Sequence, residues 1–219
     1  PNNYHHPTKN CLFIVARKGN TLYFGDPDVE PGPKMFEDIA PQGYGIQFQN
    51  LATKAADPQL FKYLRYNQFT LLNRIHLIVR IELDCVDKGG NNLEIKTKLA
   101  SKNPRYPPHK DASYMLKNWG KMFLGQEDYL YLGILERTKP ENQRARIESA
   151  TAYSFAQVRE HAQLDDRTER LVMARLASLL QWVIDHVQDT DRMVLTYHKE
   201  AGKFSLVTEA EALAAGAVL

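Results

Sequence analysis

Residues 75–96, IHLIVRIELDCVDKGGNNLEIK, decide the fold. Ile75, Leu77, Val79, Ile81, Leu83 and Cys85 alternate as one apolar face, the period-two mark of a half-buried strand. Glu82 and Asp84 fall on the opposite face with His76, Ile78 and Arg80. In the following run Leu93 and Ile95 take the apolar face, so Glu94 and Lys96 share the other. The connector Asp87-Lys88-Gly89-Gly90-Asn91-Asn92 is rich in residues that tolerate positive φ, as hairpin turns require. The spacing predicts two strands in a hairpin, with Asp84 level with Glu94 and Glu82 level with Lys96. A slip of one residue would put the pairs on opposite faces.

Three carboxylates and a lysine on one sheet face suit a metal-dependent phosphodiesterase. Mg2+ and Mn2+ are hard ions that prefer carboxylate, carbonyl and water oxygens. Asp84 and Glu94 supply such oxygens, and a held ion polarises a phosphate and acidifies a bound water. Lys96 would orient that water or offset charge on the phosphoryl oxygens. The alternation alone also admits a plainer arrangement, a solvated sheet face on which Lys96 neutralises Glu82. Cross-strand charge pairs of that kind are common and contribute up to about 1 kcal/mol.

At 219 residues the chain suits a single domain, 1–219, with room for a sizeable core. It starts at Pro1 without a methionine, as a trimmed, processed or incompletely represented chain would. A formal net charge of +2 leaves no global basic field, so nucleic-acid contact would fall to local patches. Lys98, Lys102, Arg105, His109, Lys110, Lys117 and Lys121 make one such patch directly after Lys96. Two cysteines in apolar alternating runs, Cys11 and Cys85, exclude a disulfide framework and suit a reducing compartment. There is no apolar run of transmembrane length and no secretory signal, so an intracellular place, nucleus or cytoplasm, is expected.

Elsewhere, 11–17 and 21–24 flank Lys18-Gly19-Asn20 as a hairpin, and 26–33 reads as a loop. Pro41–Lys54 opens a helix with Ile46 and Leu51 among its apolar residues. Arg65–Leu72 is a strand that turns at Asn73-Arg74 into Ile75–Val86, and Leu93–Leu99 is another strand. Lys102–Lys110 is a basic, Pro-rich loop. Asp111–Leu124 is an amphipathic helix with the stripe Met115, Leu116, Trp119, Met122 and Phe123, stopped by Gly125. Tyr114, Lys117, Asn118 and Lys121 take its other side, either as a solvated face or as a surface for a nucleic-acid backbone. Tyr129–Glu136 is a strand, 140–147 a polar loop and Asp166–Val187 a long helix. Met193–Tyr197 and Phe204–Val207 close a hairpin, and the Ala-rich tail is a short helix or a frayed end. This order predicts an α+β fold, a mixed β-sheet with flanking helices. His76 reads as a satisfied polar residue, His5 and His6 as terminal, and Trp119 and Trp182 as core.

ELDC at 82–85, LEIK at 93–96 and KNWGKMFLG at 117–125 together resemble the DXO/Rai-type RNA decapping nucleases. That family carries an acidic E-x-D, then an E-apolar-K, then a helix of the type K-x-W-A-Q-x-F-L-x-G. YLYLGILE at 129–136 and RLVMARLASLLQWVIDHV at 170–187 extend the likeness, which runs from about residue 41 to 207. The resemblance implies a PD-(D/E)XK-like nuclease core that uses Mg2+ or Mn2+ to remove incomplete or non-standard caps and digest RNA from the 5′ end. On that pattern Asp84 and Glu94 ligate metal, the Ile95 carbonyl completes the coordination and Glu82 assists through water. Lys96 then sits by the scissile phosphate.

Two positions depart from the pattern. The family's glycine-aromatic-x-Phe-Glu motif has its best match in Gly45-Ile46-Gln47-Phe48-Gln49, with an amide where the metal-facing glutamate belongs. Gln49 still hydrogen-bonds, but the lost charge should lower divalent-ion affinity. Lys121 stands where a glutamine is common; it can meet phosphate as a point charge and compete with metal. The family's upstream arginine motif has no match, and Arg17 suits a hairpin role better. The expectations are therefore an RNA 5′-end nuclease acting on capped or 5′-monophosphate RNA, with Gln49, Lys121 and Lys117 lining the phosphate pocket. The alternative is a weakened relative that binds RNA ends or activates a partner 5′–3′ exoribonuclease. A DNA-directed nuclease with the same core is a third, more distant reading.

Overall fold

A computed structural model describes residues 11–25, 48–49, 51–53, 63–71, 73–100, 107–136, 146–189 and 191–215. The elements in chain order are β1 (Cys11–Lys18), β2 (Thr21–Gly25), β3 (Tyr63–Leu71), β4 (Ile75–Leu83), β5 (Cys85–Val86) and β6 (Asn92–Leu99), then α1 (Ala112–Gly125), β7 (Tyr129–Leu135) and β8 (Ile147–Ser154). They continue with α2 (Phe155–His161), α3 (Asp166–His186), β9 (Arg192–His198), β10 (Lys203–Thr208) and α4 (Glu209–Ala214). These form two compact units, Pro1–Pro33 with Ala174–Leu219, and Lys34–Met173.

The first unit is an antiparallel sheet in the order β10-β9-β1-β2. Both expected hairpins are present. Val15 and Leu195 on the sheet bury against Val183 and Val187 at the end of α3, where β-branched side chains pack well on a pleated surface. Arg17 donates to the carbonyls of Ile184 at 3.0 Å and Val187 at 2.8 Å, groups that the end of a helix leaves without partners. Its role is thus to tie a helix end to a hairpin. The tail forms α4 because Thr208 and Glu211 make a reciprocal capping box.

The second unit holds a two-stranded sheet, β3-β4, and a four-stranded sheet, β5-β6-β7-β8. Asn73, at φ +55, turns β3 into β4. Residues 75–96 therefore do not form one long hairpin. Strand β4 pairs throughout with β3, and the chain breaks at Asp84 before β5 pairs with β6 over Cys85↔Leu93 and Val86↔Asn92. Strand β6 runs parallel to β7, with α1 as the crossover between them. Parallel strands need such a connection. Asp111 caps α1 by accepting the Tyr114 amide at 3.1 Å. Met115, Trp119 and Met122 bury against Leu130, Leu132 and Val158, whereas Leu116 at the stripe's edge is exposed. The helix runs through Gly125, and Gln126 takes the left-handed cap expected of the glycine. Strand β8 and helix α2 carry no apolar alternation; β8 is a mostly exposed strand, IESATAYS. The whole is α+β, mixed sheets with flanking helices.

Residues 48–49 and 51–53 are helical, but the buried side chain is Phe48, not Leu51, which is exposed. Ile46, the 26–33 loop, His5, His6 and most of the 102–110 loop lie outside the described residues. The Phe48 ring stacks on Tyr131 at 5.6 Å and lies directly over Gly133, where a Cβ would approach it to 2.6 Å. Gly133→Ala should therefore push Phe48 aside and lower stability by about 1–3 kcal/mol, the range for overpacking a filled site. A denaturant midpoint equal to that of the parent chain would show the ring is not held there.

Candidate active site

Glu94 lies on strand β6, and its side chain is 0% exposed. Its Oε1 receives two ammonium groups, Lys96 Nζ from the same strand and Lys121 Nζ from α1 at 2.6 Å. Lys96 Nζ also lies 3.6 Å from Asp84 Oδ2 and donates to the Ile95 carbonyl at 3.3 Å. Desolvation alone would lower the Lys96 pKa, but the facing Glu94 and Asp84 carboxylates outweigh it and hold the pKa above the ordinary lysine value. The ammonium is therefore charged throughout the neutral range.

Asp84 joins this group because the chain breaks there. The β5–β6 register, extended by one pair, would set Asp84 opposite Glu94, as the spacing predicts. The backbone ladder stops short of that pair, and Asp84 Oδ2 accepts the Ile95 amide at 2.8 Å in its place. Glu82 remains on β4, level with Leu64, as an exposed residue on the outward face. The face shared by four residues thus becomes a group of Asp84 and Lys96 about the buried Glu94, with Glu82 exposed on β4. Gln49 Nε2 donates to the Asp84 carbonyl at 3.5 Å, placed by its neighbour Phe48. Lys117 is exposed one turn before Lys121 on α1. Tyr114 is half-buried with Lys98 Nζ 3.9 Å over its ring, a cation–π contact that leaves this part of the helix face less open than a solvated stripe. His76 is exposed, with Nδ1 3.3 Å from Thr70 Oγ1.

The sequence pattern misses Glu127. It follows α1 in a short turn, a place where a glutamate ordinarily meets water. Instead it is 3% exposed. Burial first, and then the Glu94 carboxylate, push its pKa up to about 8, with Lys121 partly opposing. As carboxylates, Glu94 Oε2 and both Glu127 oxygens are buried without a donor. A proton on Glu127 removes its repulsion with the Glu94 carboxylate. No periodic signal marks this residue; the only hint is its place directly after a helix-ending glycine.

Three carboxyls, Asp84, Glu94 and Glu127, thus meet two ammoniums, Lys96 and Lys121. Hard oxygen donors without partners at Glu94 Oε2 and Glu127 fit a divalent cation in their chemistry. The Oε1 side of Glu94 is taken by the lysines. Among the described residues no group of three His, Cys, Asp or Glu side chains converges closely enough to hold an ion without adjustment.

No family model matches the chain. No curated protein is significantly similar to it. Its α+β fold is shared with solved Rai1 structures. The chain superposes on the crystal structure of Scheffersomyces stipitis Rai1 with a TM-score of 0.66 at 12% identity, covering 92% of this chain and 63% of that one. Candida albicans Rai1 in complex with pU5-Mn2+ gives 0.67 at 13% identity, covering 94% and 64%. A mutant S. pombe Rai1 in complex with 3'-FADP gives 0.65 at 12% identity, covering 94% and 66%. The chain thus spans a little under two thirds of each of these proteins. Among the described residues no helix is long and apolar enough to cross a membrane.

Proposed function

We propose that this chain is a divalent-metal-dependent nuclease acting at RNA 5′ ends, removing incomplete or non-standard caps or hydrolysing phosphodiesters from a 5′-monophosphate end. The observation that carries the proposal is the convergence of Asp84, Glu94 and Lys96 around one buried carboxylate. The fold likeness to Rai1 supports it, with one such structure in complex with pU5-Mn2+ and another with (3'-NADP)+ and calcium ion.

A bound Mg2+ or Mn2+ supplies Lewis acidity toward a phosphate oxygen and a water. Asp84, Glu94 and the Ile95 carbonyl would hold it, and exposed Glu82 suits contact through water. Lys96, charged and pinned between two carboxylates, offsets negative charge developing on the phosphoryl oxygens. Lys121 and Lys117 present charge to the phosphate backbone from α1. Gln49 offers an amide to the substrate or to Asp84. An RNA 5′-end substrate would suit the nucleus or cytoplasm.

A second reading has its own observation. Lys121 already lies on Glu94 Oε1, and Gln49 is neutral. A chain that keeps this arrangement would bind RNA ends, or activate a partner 5′–3′ exoribonuclease, with little turnover. Incubation with capped and 5′-monophosphate RNAs separates the two. The nuclease reading expects product with Mn2+, none with chelator and none from Asp84→Ala. RNA retention without product in Mn2+ would favour the binding role.

A further inference from the structure

Glu127 is a carboxyl that the chemistry above leaves unused. The backbone is shaped to bury it. Gln126 adopts φ +49, and the Glu127 amide turns back to the Met122 carbonyl at 2.9 Å. A Cβ at residue 125 would lie 2.9 Å from the Glu127 carboxyl carbon, so the glycine leaves room for the carboxyl in this place. The carboxyl is thereby directed to Glu94, whose Oε2 likewise has no donor. Burying a carboxyl without a partner is costly. Two such groups side by side form the oxygen pair that a hard cation satisfies. The amide of Gln49, beside Asp84, brings no charge to that pair.

Resting on the metal-dependent reading above, the geometry points to Glu127 as a cation ligand. With Glu94 it forms a two-carboxylate divalent-cation site, and the charge absent at Gln49 is supplied from the turn between α1 and β7. Lys121, on the other oxygen of Glu94, competes with the cation for that carboxylate, so Lys121→Gln should tighten binding. The competing account is a buried structural acid that only shares a proton with Glu94.

Mn2+ titration of the full chain, followed by the electron paramagnetic resonance signal of free Mn2+, tests this. Wild type, Glu127→Gln, Glu127→Asp and the double variant Glu127→Gln with Gln49→Glu are compared. Both single variants should weaken Mn2+ binding by at least about tenfold, since even outer-shell partners of a metal site are worth that much. The double variant should recover most of the loss. If Glu127→Gln fails to fold, Glu127→Asp keeps the charge while withdrawing the oxygens and carries the comparison. Superimposable titrations of wild type and the single variants, a double variant no better than Glu127→Gln, or no Mn2+ bound by wild type would overturn the assignment. Mn2+ binding that needs Glu127 in a chain without hydrolysis would keep the assignment and remove the nuclease reading. Hydrolysis by a chain whose Mn2+ affinity ignores Glu127 would do the reverse.

Discussion

Glu94→Ala should destabilise the chain by about 3 kcal/mol, the lower end of the cost of removing one partner from a buried ion pair. Glu94 is fully buried, and its Oε1 is the common acceptor of Lys96 and Lys121. Alanine leaves two ammoniums facing each other across a new cavity. Both lysine side chains are about a third exposed, 36% for Lys96 and 35% for Lys121, and Lys96 keeps Asp84 at 3.6 Å. These escapes set the estimate at the lower end. Glu94→Gln keeps the volume and offers Glu127 a donor, so it should cost distinctly less. Urea unfolding of the two variants checks the order. An alanine variant within about 0.5 kcal/mol of wild type, the usual span for surface changes, would mean that the cluster does not hold this part of the fold together.

The second large effect is a loss of stability with rising pH. The fold raises the Glu127 pKa from an ordinary value of 4.5 to about 8, by burial first and Glu94 next. The folded chain therefore keeps a proton that the unfolded chain has released. The stabilisation this gives is full below pH 4.5 and is lost as pH rises through about 8. Within that window the slope from one group reaches at most about 1.4 kcal/mol per pH unit. His109 acts in the opposite sense, because burial, then His161 and Lys110, lower its pKa from 6.5. Its contribution therefore grows as pH rises toward 6.5 and is complete above it. Asp87, Asp111, Asp165 and Glu211, all with lowered pKa values, act below pH 4.5. Between about pH 7 and 8 Glu127 should dominate. Thermal melts of wild type should drop across that interval without metal, and those of Glu127→Gln should be nearly flat. Parallel curves would show that Glu127 is ionised and solvated.

Period two carried much of the site. Glu94 and Lys96 do share a side, and the two pairs that β5 and β6 make follow the register read from the sequence. The rule stopped at Asp84, where the strand leaves one sheet for another. No glycine or proline marks that break; the Asp84 side chain makes it, by taking the Ile95 amide from the ladder. Parity counted along 75–86 therefore places Asp84 beside Glu82, while the fold turns it inward. Helix α1 was legible because Met115, Trp119 and Met122 repeat at helical spacing. Strand β8 was not, because its side chains are mostly exposed and Ser, Thr and Ala give no alternating signal. Phe48 is set by close approach to Gly133, 85 residues away, and Glu127 by the turn after Gly125, neither of which a helix or strand period encodes.

The central claim is that Asp84, Glu94 and Lys96 support metal-dependent hydrolysis at an RNA 5′ end. Its most direct measurement is the release of nucleotide or cap from 5′-labelled RNA by wild type and Glu94→Gln, each with Mn2+ and with chelator. The account predicts product from wild type in Mn2+ alone, and a rate at least about a hundredfold lower for Glu94→Gln, the scale on which loss of one electrostatic partner acts in an active site. Equal rates for the two proteins, or product that persists in chelator, would contradict it.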